Sequence, residues 1–163
     1  MDNIPHEQRF IENLKGLLDL IFELVSNGFE RGLININPSV VEIVKRIVEQ
    51  LDKKEVIENF IKRSIIMDKQ GKKICLWDFI IQRNQDCCCR YIDQIFSEIP
   101  NICVFGSIIK ANWINENDRN AIWEYLDSLI RICLRYIHDY SYEEIPEEWI
   151  EKFRKHYNMD LSS

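Results

Sequence analysis

The chain has 163 residues, 46% hydrophobic and 29% charged, with a net charge of −6. That length fits one domain, or one domain plus an appendage, and buries a core without covalent staples. The acidic balance disfavours nonspecific binding to nucleic acid. Neither a secretory leader nor a membrane span is expected, because no apolar run approaches about 18 residues.

Five glycines and four prolines favour long helices over many tight turns. Pro5 opens a first helix, in which Phe10, Leu14, Leu17, Leu18, Ile21, Leu24 and Val25 recur at helical spacing. Asn27 and Gly28 look like its stop. Residues 28–37 read as a loop, and LININ within it is too short for a strand. Asn37-Pro38 starts a second helix, reaching Leu51. Its Val40, Val41, Ile43, Val44, Ile47 and Val48 would also suit a strand. However, Glu42, Lys45, Arg46, Glu49 and Gln50 fall on the opposite face at helical spacing. Asp52 caps a third helix with Glu55 at the capping-box position, and Val56, Ile57, Phe60, Ile61 and Ile65 form its buried face. MDKQGKK, 67–73, is a polar turn.

Short helices are expected over 74–83, 85–99 and 102–111. The second of these carries a stripe of Cys88, Ile92, Ile95, Phe96 and Ile99 and is stopped by Pro100, and the third surrounds Gly106. Residues 117–140 then form the longest helix, capped by Asn115 or Asn117. Its Ile122, Leu126, Leu129, Ile130, Cys133, Leu134 and Ile137 make a broad stripe. Arg131, Arg135 and His138 sit near its negative end, and every ionisable group on it has a capping or solvent role. Beyond Tyr140 an acidic linker precedes a short amphipathic helix from Pro146. That helix, within 141–163, is either docked on the domain of residues 1–140 or offered to a partner.

VIENFIKRSI (56–65), LWDFIIQRNQDCCCRYIDQIFSEIP (76–100) and DRNAIWEYLDSLIRICLRYI (118–137), in that order, resemble small helical proteins of nucleocytoplasmic large DNA viruses. The resemblance implies a viral origin and transfers no catalytic residue.

Candidate chemistry is sparse. Cys87, Cys88 and Cys89 are consecutive, and neighbours on a helix point about 100° apart, so the three cannot converge on one ion. Cys75, Cys103 and Cys133 sit in apolar helical patterns, which suits free thiols in a reducing compartment. His6, His138 and His156 each lie near a helix end, and the five-residue offset of Cys133 and His138 does not stack a catalytic pair. Lys69, Lys72 and Lys73 read as a solvated turn. Glu143, Glu144, Glu147, Glu148 and Glu151 read as solvated surface, or as a docking patch for a basic partner. Trp77, Trp113, Trp123 and Trp149 suit core, rim or interface anchors.

The expected fold is all-α, a compact bundle of about seven helices with one long central helix at about 117–139. The expected function is that of a non-enzymatic structural or protein-interaction protein, with protein partners or copies of itself. Its expected setting is intracellular and reducing, host cytoplasm or virion if viral. The contact surface is placed on Trp149, Ile150, Phe153 and Tyr157. The alternative is a module that captures a partner's amphipathic helix in a groove, Bcl-2-like in mode. NWINENDR, 112–119, bears a likeness to the Asn-Trp turn of that family, but its arginine stands too far from the tryptophan. No catalytic, cofactor-binding or metal-ligating residue is assigned.

Overall fold

The computed structural model describes residues 4–96 and 104–159. In chain order these form α1 (His6–Glu30), α2 (Ser39–Gln50), α3 (Lys53–Arg63), β1 (Ile65–Met67), β2 (Lys73–Cys75), α4 (Leu76–Ile81) and α5 (Gln85–Tyr91). A 3-10 helix (Ile92–Phe96), α6 (Val104–Ile109), α7 (Glu116–Tyr140) and α8 (Glu147–His156) follow. The architecture is helical, as the apolar periodicities predict.

α1 and α7, each 25 residues and so about 37 Å long, form the frame. They run antiparallel: His6 meets Asp139, the Ser128 hydroxyl bonds Asn13, and Trp113, just before α7, lies over Gly28. A Cβ at Gly28 would stand 2.5 Å from the Trp113 ring, so this glycine allows the close approach and does not end α1. The stop is Gly32 at φ +69°. There the amides of Gly32 and Leu33 reach back to the carbonyls of Phe29 and Gly28, a Schellman closure that needs a left-handed residue. α8 closes in the same way with Asn158 at φ +52°, and α4 with Arg83 at φ +55°.

Asp52 caps α3 as expected, accepting from the amides of Lys54 and Glu55, and Asn84 caps α5, accepting from that of Cys87. Of the two asparagines proposed for α7, Asn115 is the cap, accepting from Asp118. Pro5, Pro38 and Pro146 stand immediately before α1, α2 and α8.

The polar turn at 67–73 belongs to a hairpin. β1 and β2 pair antiparallel, Ile65 with Cys75 and Met67 with Lys73. Asp68 tightens the loop by accepting from the amides of Gln70 and Lys72, and Gly71 supplies φ +80°. The expected 85–99 helix is α5 followed by the 3-10 turn; Ile99 and Pro100 of its proposed end lie outside the described residues, as does Cys103.

One contiguous core joins the stripes of α1, α2, α3, α4, α7 and α8. Phe10 and Phe60 meet edge to face, 5.0 Å between centroids. α6 packs on α5 through Gly106, where a Cβ would lie 2.6 Å from the Cys89 carbonyl oxygen. No helix of the described residues is long and apolar enough to cross a membrane.

Candidate functional site

The residues proposed as a contact surface lie largely inside the molecule. Ile150 and Phe153 are 3% and 0% exposed and belong to the core. The Phe153 ring meets Trp77 edge to face at 5.4 Å. Trp149 and Tyr157 are half-buried against the same core. The Tyr157 hydroxyl donates to Asp127 (2.8 Å), and the Arg131 guanidinium lies 5.4 Å over its ring. The apolar stripe of α8 is therefore spent within the chain: of the two arrangements open to this helix in the sequence, docked or offered, it is docked, and Ile150 and Phe153 of the proposed contact surface face inward. The reason is the core beneath it: Trp77 and the α7 stripe leave an apolar groove that the nearest amphipathic segment fills.

Asp127 organises this seat. It takes both guanidinium nitrogens of Arg83, at 2.9 and 2.7 Å, besides the Tyr157 hydroxyl. Asp127 and Arg119 are 8% and 7% exposed, so the expectation that every charged group on the spine faces solvent or caps it is corrected. Arg119 donates to the carbonyls of Ile109 and Ala111 and to Glu116, closing the end of α6. Arg83 holds a left-handed backbone that an L side chain adopts at a cost of about 1–2 kcal/mol, offset here by its paired guanidinium.

The surface that does converge on chemistry lies at the C-terminal end of α7. Tyr136 and Tyr140 are one turn apart on one helix face. Ser141, at φ +51°, then turns the chain so that the Tyr142 amide bonds the Ile137 carbonyl. This brings three phenol rings together: Tyr136 to Tyr140 at 4.8 Å and 52°, Tyr136 to Tyr142 at 5.8 Å and 67°. With Glu7 from α1, Lys54 and Glu58 from α3, and Ser141 and Glu143, they line an open cleft of about 440 Å³. The Tyr136 hydroxyl donates to Glu58. Glu7 Oε2 and the Tyr142 hydroxyl are screened from solvent and have no hydrogen-bond partner among the described residues. Burial first, then Glu144 and Glu58, push the Tyr142 phenol up to about 12. Burial and the bond to Glu58 push Tyr136 higher still. Glu7 and Tyr140 are shared with a neighbouring cleft of about 390 Å³, where His6 Nε2 meets Asp139 at 2.6 Å.

The remaining candidates stay apart. Cys75, Cys88 and Cys133 are buried, and burial pushes Cys75 and Cys88 up to about 12 and Cys133 well above its ordinary value. Cys87 and Cys89 are half-buried on either side of Cys88, as a 100° step requires. His138 contacts Asp139 at 3.0 Å, and His156 is exposed. Trp77 and Trp123 are core residues, while Trp113 and Trp149 are half-buried. Among the described residues no group of three or more His, Cys, Asp or Glu side chains could hold a metal ion. The tyrosine cleft was missed in the sequence because its signal, Y-x3-Y-x-Y with acids on either side, reads equally as a helix end running into an acidic linker. No protein-family model, no curated protein and no solved structure matches the chain.

Proposed function

We propose that this protein acts by binding other proteins, and not by catalysis, with the tyrosine cleft at the joint of α1, α3 and the end of α7 as its contact site. One observation carries the reading: the cleft gathers Tyr136, Tyr140 and Tyr142 with buried polar atoms of Glu7 and Tyr142 that nothing among the described residues satisfies. Tyrosine offers large contact area with a polar tip at little entropic cost, and interfaces are enriched in it. Tyr140, at 56% exposed, is free to be covered. The buried thiols support the non-catalytic half, since a thiol held far above its ordinary range is a poor nucleophile. The resemblance of 56–65, 76–100 and 118–137 to proteins of large DNA viruses supports a reducing setting in host cytoplasm or virion.

Capture of a partner's amphipathic helix ranks second, because the groove suited to it is filled by α8 and would first have to be vacated.

The full-length chain and its Tyr140→Ala variant, each tagged and expressed in the cells that naturally make the protein, test the proposal. The expected result is a stoichiometric protein partner, a second copy included, that the wild type retains and the variant loses at equal thermal stability. Equal retention by both proteins, or no stoichiometric partner for either, would overturn it.

A further inference from the structure

The tyrosine cleft combines two features that select one ligand chemistry. Its walls are aromatic: Tyr136, Tyr140 and Tyr142 all line it, packed ring on ring at 4.8 and 5.8 Å, with Tyr140 56% exposed and open to an incoming group. Its charges are unequal: Glu7, Glu58 and Glu143 line it against Lys54 alone. A ring face attracts a cation within about 6 Å of its centroid, and more strongly where water is excluded. An anion would meet the carboxylates, and a purely apolar group would strip water from them without replacing it. We infer that this cleft binds an organic cation, the ammonium or guanidinium of a lysine or arginine side chain on the partner.

This inference rests on the interaction reading and names what the cleft recognises. It also gives Glu143, which lines the cleft, a role in drawing a basic segment to it. Lys54 is then the internal competitor for the site, its charge opposing the entry of another cation.

The full chain is titrated with a short peptide carrying one central lysine, the same peptide with arginine, a glutamine isostere, and choline. Binding is followed by NMR through the ring signals of Tyr136, Tyr140 and Tyr142. The lysine and arginine peptides are expected to shift these signals saturably, and the glutamine isostere is not. Tyr140→Ala should weaken binding by about 3–30-fold, the span of one cation–π contact. Glu143→Gln should weaken it and flatten its salt dependence, whereas Lys54→Gln should tighten it several-fold. Both Glu143 and Lys54 are exposed, so these variants leave the core intact. Saturable shifts with choline but not with either peptide would assign the cleft to a free organic cation and overturn the side-chain assignment. Equal binding of the glutamine isostere, silence with every cation at millimolar concentration, or no tightening in Lys54→Gln would overturn the inference. A partner that still depends on Tyr140 after such a failure leaves the interaction reading standing. Cation binding combined with a partner indifferent to Tyr140 has the reverse meaning.

Discussion

Replacing Phe153 by alanine tests whether the C-terminal helix is part of the core. The ring is 0% exposed and sits edge to face on Trp77 at 5.4 Å. A buried aromatic removes roughly 200 Å² from water, which at about 25 cal/mol/Å² sets an upper bound near 5 kcal/mol. Measured Phe→Ala losses in cores run about 3–5 kcal/mol, including about 0.5–1.5 from the ring pair. Detachment of α8 sets a ceiling on what the substitution can remove. Once the helix lets go, no further cost accrues, and the remaining stability belongs to α1–α7. Urea unfolding followed by tryptophan fluorescence, together with amide exchange in α8, separates the two regimes. The expected result is either a global loss of about 3–5 kcal/mol at an unchanged denaturant slope, or a smaller global loss with α8 amides deprotected. A loss below about 1 kcal/mol with α8 amides still protected would refute the burial argument.

Tyr157→Phe removes the hydroxyl that donates to Asp127 and should cost about 1–2 kcal/mol in chemical denaturation, because the carboxylate keeps both bonds to Arg83. Above pH 10 stability should fall. Burial raises the phenols of Tyr136, Tyr142 and Tyr157 in the folded state, so the unfolded chain ionises first and gains. Asp93, pushed up to about 6 by burial, acts in the same sense at lower pH: the folded chain binds more protons, and stability declines as pH rises from about 4 to about 6. Asp93→Asn should flatten that window and raise the melting temperature at pH 7 by the equivalent of about 1–2 kcal/mol, discounted for the partial exposure of the carboxylate. Among the described thiols, a disulfide reagent should label Cys87 and Cys89 in the native protein and reach Cys75, Cys88 and Cys133 only after denaturant; fast native labelling of the latter three would contradict their burial.

What the sequence determined is the local layer. Apolar spacings placed α1, α2, α3, α7 and α8, because a 3.6-residue repeat declares which face must be buried whatever covers it. The Asp52 cap was legible because its acceptor and the amides it serves lie within three residues of one another. The hairpin was not, since three-residue strands carry too little alternation to compete with the helical patterns on either side. Gly28 read as a stop and proved to be a packing site, because only the fold brings Trp113 onto it. Asp127 read as solvated until Arg83, 44 residues away, and Tyr157 met it. Tertiary structure alone decided that the stripe of Ile150 and Phe153 faces inward, since a docked and an offered amphipathic helix share one sequence pattern. It alone assembled the tyrosine cleft, whose carboxylates Glu7 and Glu58 come from α1 and α3, far along the chain from the rings they face.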